Sequence, residues 1–256
     1  MKKLLNKTAL VTGATSGIGR SISYLFAENG ANVIISGRRE DRLEKIAAEL
    51  REKYGVEIQT LTLDVRNYND VEKAVDGLPD EWKAIDILVN NAGLSRGLNK
   101  IQDGVLADWE EMIDTNVKGL LYISKCVIPL MLKNNSGHVV NIGSIAGHEV
   151  YTAGNVYCAT KHAVDALTKG MRLDLNGTGV KVTTIDPGLA ETEFSDVRFR
   201  GDDEKAKSVY KGMTPLTPDE VAEGVLFAVT CSENMVVAQM VLLPKDQASS
   251  TIVHRS

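Results

Sequence analysis

The sequence lacks the marks of several protein classes. Its 256 residues contain no apolar run of the roughly 18 residues that a membrane helix requires. Two lysines follow Met1 as in a signal peptide, but Asn6 and Lys7 interrupt before any apolar core forms. The net charge of −5 provides no basic face for nucleic acid or an anionic membrane. We therefore expect a cytoplasmic protein without either partner.

Cysteine and histidine are also scarce. The three cysteines are odd in number, widely spaced and without a CxxC pair, which favours a reduced setting over a disulfide framework. The four histidines show no HExxH or related spacing, so we expect no bound metal. They are His138, His148, His162 and His254. His148 lies near Ser144 and could line a pocket, although a structural role is favoured.

What the chain does contain is a regular alternation of strands and helices, with no linker and no internal repeat. Apolar runs predict seven strands, at 8–11, 31–36, 57–63, 85–89, 138–142, 180–185 and 236–243. Helical spacing predicts six helices between them, at 18–29, 40–54, 68–78, 108–133, 155–175 and 218–231. This pattern predicts an α/β fold: one doubly wound, Rossmann-type domain over 1–256, with helices on both faces of a parallel sheet. The polar stretch 189–217 is too long for a plain connection and is expected to form a substrate loop.

The first strand runs directly into a glycine-rich turn, Thr12-Gly13-Ala14-Thr15-Ser16-Gly17-Ile18-Gly19. A turn of this kind brings backbone N–H groups and a helix N-terminus against a pyrophosphate, and glycines allow close approach. A glycine-rich connection without a ligand is the alternative. The position between a buried strand and an amphipathic helix favours nucleotide binding.

The second strand ends in Gly37-Arg38-Arg39. Dinucleotide-binding domains usually place an acidic residue there to hold the ribose hydroxyls of NAD. The planar fork of an arginine suits the 2′-phosphate of NADP instead. Arg38 and Arg39 could also be solvated residues at the start of the next helix, but we predict NADP in preference to NAD.

Further polar residues follow the later strands, where parallel strands place their ligands. Asp64, followed by Val65, closes the third strand and could accept the amino group of adenine. Asn90-Asn91-Ala92-Gly93 could brace neighbouring strands or contact ribose. Ser144 and Pro187-Gly188 follow the fifth and sixth strands.

Tyr157 and Lys161 lie four residues apart on a predicted helix, so their side chains share one face. A nearby ammonium favours the tyrosinate and lowers a pKa that is otherwise about 10. Such a tyrosine can exchange protons with an alcohol or a carbonyl. In a chain with 7 tyrosines, one such pair could be an accident of composition. The residues upstream decide between the two interpretations.

Together these motifs resemble the short-chain dehydrogenases/reductases over essentially the whole chain. The motifs are Thr12-Gly13-x-x-x-Gly17-x-Gly19, Asn90-Asn91-Ala92-Gly93, Asn116, Ser144, Tyr157-x-x-x-Lys161 and Pro187-Gly188. The resemblance implies that Tyr157 is the general acid/base and that Ser144 hydrogen-bonds the substrate oxygen. It implies that Lys161 binds the nicotinamide ribose and lowers the pKa of Tyr157. Asn116 would anchor a water in a proton relay, although an asparagine within a helix usually faces solvent.

The resemblance also implies a set of cofactor-binding residues. They are Gly13, Thr15, Ser16, Gly17, Ile18, Gly19, Arg38, Arg39, Asp64, Val65, Asn91, Ala92, Gly93, Tyr157, Lys161, Pro187, Gly188 and Thr192. Family members that use NADP often carry a basic residue inside the glycine turn. Ser16 stands there in this chain, so the NADP preference depends on Arg38 and Arg39.

Four stretches resemble one subgroup, the NADP-dependent 3-hydroxy acid dehydrogenases, also called serine or L-allo-threonine dehydrogenases. The stretches are 37–39, 113–116, 154–157 and 192–199. This resemblance implies reversible hydride transfer at C3 of L-serine, L-allo-threonine or 3-hydroxypropionate, the last forming malonic semialdehyde. Ser144, Tyr157 and Arg198 would bind the substrate, with Arg198 pairing the carboxylate and Arg200 as second candidate. Either arginine could instead be a solvated loop residue.

Two other functions stay open from the sequence. The same fold and residues serve reductases of other carbonyl compounds, such as a 3-oxoacyl thioester, a sugar or a ketone. A nucleotide-binding protein without turnover is the other alternative, which the complete set of Asn116, Ser144, Tyr157 and Lys161 disfavours. Because relatives are commonly tetramers, the resemblance also implies a homotetramer.

Overall fold

A seven-stranded parallel sheet forms the centre of the computed structural model, which describes residues 2–256. Its strands are β1 (Thr8–Thr12), β2 (Asn32–Gly37), β3 (Ile58–Thr62), β4 (Ile87–Asn90), β5 (Gly137–Ile142), β6 (Val180–Pro187) and β7 (Gln239–Leu242). Their order across the sheet is β3-β2-β1-β4-β5-β6-β7, and every neighbouring pair is parallel. The order reverses between β1 and β4, which confirms the predicted doubly wound fold and opens a crevice at their carboxyl ends.

Helices cover both faces of the sheet. They are α1 (Gly17–Glu28), α2 (Glu40–Tyr54), α3 (Tyr68–Asp76), α4 (Leu106–Ile113), α5 (Leu120–Lys133), α6 (Asn155–Asp174), α7 (Phe194–Arg198), α8 (Asp203–Ser208) and α9 (Pro218–Val229). Helices α1, α2 and α9 pack on one face, against alternate strand residues such as Val11. Helices α3 and α5 pack on the other, against residues such as Leu10. No helix within residues 2–256 is both long and apolar enough to cross a bilayer.

Most element boundaries agree with the sequence to within two residues, and the structure adds two features. The helix predicted over 108–133 is continuous, but a π-helical turn, Asp114–Gly119, lies within it between α4 and α5. The predicted loop 189–217 contains two short helices, α7 and α8. Single π-turns within helices often mark functional sites, and this one carries Asn116.

His138 of β5 is a buried titratable group that bears on stability. Its Nε2 lies 2.7 Å from Thr183 Oγ1, and the Thr183 hydroxyl donates to the Val237 carbonyl at 2.7 Å. The hydroxyl must therefore accept from Nε2–H, which fixes the neutral tautomer. Burial, with a smaller contribution from Lys181, lowers the pKa of His138 to about 4.

The low pKa of His138 predicts a loss of stability in acid. The folded pKa lies below the unfolded value of about 6.5, so the stabilisation is complete above that value and is lost as the pH falls towards 4. Between pH 7 and pH 5 we expect the free energy of unfolding to fall by about 2 kcal/mol more in the native protein than in His138→Gln. Urea unfolding at each pH measures this difference. Parallel pH curves for the two proteins would contradict it.

Candidate active site

The carboxyl ends of the strands bring the predicted site residues into one cleft of about 620 Å³. All the predicted catalytic, cofactor-binding and substrate-binding residues line it, except Gly19 and Asn116, which lie behind its wall. Residues from the loop 189–217 and from the C-terminal segment complete the lining. The parallel topology thus assembles in space what the sequence distributes over more than 180 positions.

The glycine turn is shaped by close packing against the loop after β4. Gly13 and Gly17 have φ values of +66° and +52°, a region that favours glycine. A Cβ on Gly19 would overlap the Asn91 amide and the Gly13 carbonyl. Asn91 Nδ2 donates to the Thr12 carbonyl at 2.8 Å, which fastens the turn to its neighbour. This leaves the N-terminus of α1 beside the cleft, as a pyrophosphate site requires.

The residues at this end of the cleft fit a dinucleotide with a 2′-phosphate. Arg39 donates from Nη2 to Thr15 Oγ1 at 2.7 Å and to Ser16 Oγ at 3.1 Å, so its guanidinium lies against the glycine turn. Arg38 lines the same part of the cleft. The buried hydroxyls of Ser36 and Thr115 also line it and find no hydrogen-bond partner within residues 2–256.

Asp64 is held by an arginine that the sequence analysis missed. Arg66 donates from Nε to Asp64 Oδ2 at 2.9 Å and from Nη2 to the same oxygen at 2.5 Å. Burial alone would raise the pKa of Asp64, but the hydrogen bonds and charge of Arg66 lower it below its ordinary value. The carboxylate is therefore charged at the wall of the cleft, with part of its accepting capacity used by Arg66.

Asparagines within helices usually face solvent, but Asn116 is buried. In the π-turn its Oδ1 accepts from Leu94 N at 2.8 Å, and its Nδ2 donates to Leu94 O at 2.8 Å. Nδ2 also donates to Thr160 Oγ1 at 3.0 Å, and Thr160 in turn donates to the Tyr157 carbonyl at 2.7 Å. One side chain thus connects the loop after β4 to α6. Its predicted role as a water anchor stays a prediction.

Tyr157 and Lys161 lie on α6 as predicted, but the ammonium is directed towards the sheet. Lys161 Nζ donates to the Ile142 carbonyl at 2.8 Å and lies 6.0 Å from the centroid of the Tyr157 ring. Burial lowers the pKa of Lys161 to about 8, and the charge of Asp186 opposes part of that shift. Lys161 is therefore mainly protonated at neutral pH.

The pKa of Tyr157 is raised above its ordinary value, and the predicted lowering by Lys161 needs correction. Burial is the largest cause, and Tyr151 adds to it. The groups that favour the tyrosinate are Arg198, through its charge, and Ser144, through a hydrogen bond. Lys161 is not among these groups, and its ammonium donates to the Ile142 carbonyl.

Arg198 lies among aromatic rings in the cleft. Its guanidinium carbon is 5.2 Å from the centroid of the Tyr157 ring and 5.5 Å from that of Phe194. Nη2 donates to Tyr151 Oη at 2.6 Å, and Nε donates to Ser95 Oγ at 2.9 Å. The sequence analysis missed Ser95 and Tyr151, which carry no family motif, and it gave no role to Phe194, which lies in the stretch 192–199.

The second candidate, Arg200, differs from Arg198 in having a carboxylate partner. It has a φ of +55° and pairs with Asp108, so its charge is already compensated. His148 donates from Nε2 to Asp186 Oδ2 at 2.9 Å and is not part of the cleft lining, in agreement with a structural role.

The position of Arg39 predicts selective loss of NADPH binding when it is changed. For Arg39→Gln we expect the Kd of NADPH to rise about tenfold, because one charge-assisted contact to the 2′-phosphate is lost. The Kd of NADH should change little. Fluorescence titration measures both, and Lys45→Gln, which removes an exposed cation of α2, serves as control. An equal loss for the two cofactors would contradict a role in reading the 2′-phosphate.

Several known proteins resemble this chain over most of its length. The sequence profile described as short chain dehydrogenase matches residues 7–203. The NADP-dependent 3-hydroxy acid dehydrogenase YdfG of Salmonella typhi is 47% identical over 249 residues, covering 96% of this chain and 99% of the relative. Sulfoacetaldehyde reductase 2 of Chromohalobacter salexigens is 41% identical over 247 residues, covering 96% and 97%.

A solved structure of similar sequence shares the fold. The closed form of serine dehydrogenase complexed with NADP+ superposes with a TM-score of 0.91 at 45% identity, covering 97% of this chain and 100% of that one. The matched profile, the full-length relatives and the shared fold confirm the resemblance that the motifs predict. The chain belongs to the short-chain dehydrogenase family.

Proposed function

We propose that the protein transfers a hydride reversibly between NADP and C3 of a small 3-hydroxy acid, of the L-serine, L-allo-threonine or 3-hydroxypropionate type. The enzyme class and the cofactor are firm: the chain is an NADP-dependent oxidoreductase that acts on a CH–OH group, as its family and its relatives of similar length indicate. The substrate is the part that we propose.

The observation that carries the proposal is the environment of Arg198. Its guanidinium lies in the cleft 5.2 Å from the Tyr157 ring centroid, and no carboxylate within residues 2–256 forms an ion pair with it. Nε and Nη2 are fixed by Ser95 and Tyr151, whereas Nη1 has no protein acceptor in the described chain. A substrate carboxylate is the group that such an oriented donor would pair.

The distance between this cation and Tyr157 suits a short substrate. A 3-hydroxy acid has its carboxylate two bonds from the reacting carbon, so both ends can be bound at once. This pairing would hold the C3 oxygen near the Tyr157 hydroxyl and Ser144, the positioning that lowers the barrier of such a reaction. A longer substrate would not have its reacting carbon fixed by Arg198 in this way.

The side chains of the cleft support proton transfer in both directions. In the reducing direction, a protonated Tyr157 would donate its proton to the forming alkoxide, and the raised pKa keeps that proton in place at neutral pH. In the oxidising direction, the tyrosinate form of Tyr157 would accept the hydroxyl proton, and Arg198 and Ser144 favour that form. Lys161 and Asn116 would hold the cofactor ribose and a relay water. NADP, when bound, supplies or accepts the hydride.

Reduction of a sulfonated aldehyde is a second candidate function. One relative is a sulfoacetaldehyde reductase, and a sulfonate is an anion that Arg198 could pair as well as a carboxylate. Consumption of NADPH with sulfoacetaldehyde, at a rate above that with malonic semialdehyde, would favour this candidate. The oriented cation beside Tyr157 disfavours a reductase of uncharged ketones, sugars or 3-oxoacyl thioesters. It also disfavours a binding protein without turnover.

We further propose that residues 1–256 act as one catalytic domain in a cytoplasmic homotetramer, with 189–217 as its substrate loop. Exposed apolar side chains on α5, α9 and β7 support an association of subunits, among them Leu121, Phe227 and Val241.

The proposal predicts that Arg198 discriminates between charged and uncharged substrates. The purified protein should reduce NADP with L-serine, L-allo-threonine and 3-hydroxypropionate. For Arg198→Met we expect kcat/KM for 3-hydroxypropionate to fall about 100-fold, since one charge-assisted pair is lost. The value for 3-hydroxypropionamide, a neutral substrate of nearly the same shape, should change by less than about threefold. Initial rates of NADPH formation measure both.

The matched control is Lys207→Met, which removes an exposed cation from the same loop and should leave both substrates unaffected. An equal loss on the acid and the amide in Arg198→Met would contradict the carboxylate role.

A further inference from the structure

The segment Ser95–Gly97 holds helix α7 at three points. Ser95 Oγ accepts from Arg198 Nε at 2.9 Å, and Gly97 N donates to the Arg198 carbonyl at 2.9 Å. Between them, Arg96 Nη1 donates to the Val197 carbonyl at 2.5 Å. The backbone and the side chain of Arg198 are thus fixed from one short stretch of chain, which lies about 100 positions upstream of α7 in the sequence.

Arg96 is itself held by a carboxylate on α4. Its Nε lies 2.6 Å from Glu111 Oε2 and its Nη2 lies 3.1 Å from Glu111 Oε1, the two-point geometry of a strong arginine–carboxylate pair. The side chains are only 15% and 20% exposed, so solvent screens this pair less than a surface ion pair. The hydrogen bond from Arg96 keeps the pKa of Glu111 below its ordinary value.

A single guanidinium fork therefore connects α4 to α7. Two of its nitrogens are used by Glu111 and the third by the Val197 carbonyl. A lysine ammonium could not reach the carboxylate oxygens and the carbonyl with the same geometry. Arg96 does not need to touch the substrate to matter, because it fixes the residue next to Arg198.

We propose that Arg96, oriented by Glu111, is a positioning residue that sets Arg198 for recognition of the substrate's anionic group. This inference rests on the proposed function of Arg198 and deepens it. The position of α7, and not the presence of Arg198 alone, then determines the preference for small anionic substrates.

Arg96 could also affect substrate binding through its positive charge alone. The variant Glu111→Gln separates this explanation from the positioning role. If Arg96 acted only through its positive field, Glu111→Gln would make the site more positive and lower KM for a carboxylated substrate. If Arg96 acts by positioning, Glu111→Gln loosens the fork and raises the same KM. The two explanations thus predict opposite signs.

The experiment compares Arg96→Gln, Arg96→Lys and Glu111→Gln with the native protein, using 3-hydroxypropionate and 3-hydroxypropionamide. We expect KM for the acid to rise about tenfold in Arg96→Gln, the size of one lost hydrogen bond from a charged donor. Arg96→Lys and Glu111→Gln should raise KM for the acid by about threefold to fivefold. Values for the amide should stay within about twofold. The double variant Arg96→Gln/Glu111→Gln should raise KM for the acid no more than Arg96→Gln alone, because the two residues act as one unit.

Two controls keep the result specific. Lys100→Gln removes an exposed cation from the same loop and should leave KM unchanged. The Kd of NADPH, measured by fluorescence without substrate, should be the same in all variants. If Arg96→Gln does not fold, Arg96→Lys and Glu111→Gln provide the same test.

The outcomes also distinguish this inference from the proposed function. The comparison uses the ratio of kcat/KM for the acid to kcat/KM for the amide. If Arg198→Met changes this ratio and the Arg96 and Glu111 variants do not, the positioning role is wrong and the carboxylate role stands. A lower KM for the acid in Glu111→Gln, or an equal loss on acid and amide, would also overturn the positioning role. If Arg198→Met leaves the ratio unchanged, the proposed function itself fails.

Discussion

The site depends most on the hydrogen bonds of the Asn116 carboxamide. It sits in a π-helical turn between α4 and α5 and uses both of its polar atoms on protein partners. Those partners are Leu94, in the loop after β4, and Thr160, one turn from Tyr157 on α6. Because buried amides must be hydrogen-bonded, the turn, the loop and α6 are constrained to one arrangement. The cofactor side of the cleft and the tyrosine are thereby fixed relative to each other.

The electrostatics of the cleft follow from burial at that edge of the sheet. Removing Lys161 from water brings its pKa to about 8, and its ammonium finds the Ile142 carbonyl. Burial also raises the pKa of Tyr157, so the phenol holds its proton unless a cation approaches. The charge of Arg198 opposes only part of this rise, and a substrate anion bound to Arg198 would share that charge. In the proposed function, proton transfer and substrate recognition would therefore meet at Arg198 of α7.

The succession of strands and helices along the chain, and the cleft at the carboxyl ends of the strands, could be predicted from the sequence, because each depends on local periodicity or on residues that directly follow a strand. The glycine turn, Arg39 and Asp64 are of this kind. The sequence could not reveal the π-turn at Asn116, since the hydrogen-bond partners of its side chain, Leu94 and Thr160, lie 22 and 44 positions away along the chain. Ser95, Arg96 and Tyr151 were missed for the same reason: their partners on α7 lie about 50 to 100 positions away, and only the folded chain brings them together.

In the proposed reaction, C3 of a 3-hydroxy acid is the reacting carbon and Tyr157 transfers the proton. The most direct test uses L-serine with both C3 hydrogens replaced by deuterium, together with NADP, and mass spectrometry of the cofactor produced. We expect NADPH with one deuterium from the native protein, and none above background from Tyr157→Phe, which should still bind NADPH. NADPH without deuterium, or undiminished turnover by Tyr157→Phe, would contradict it.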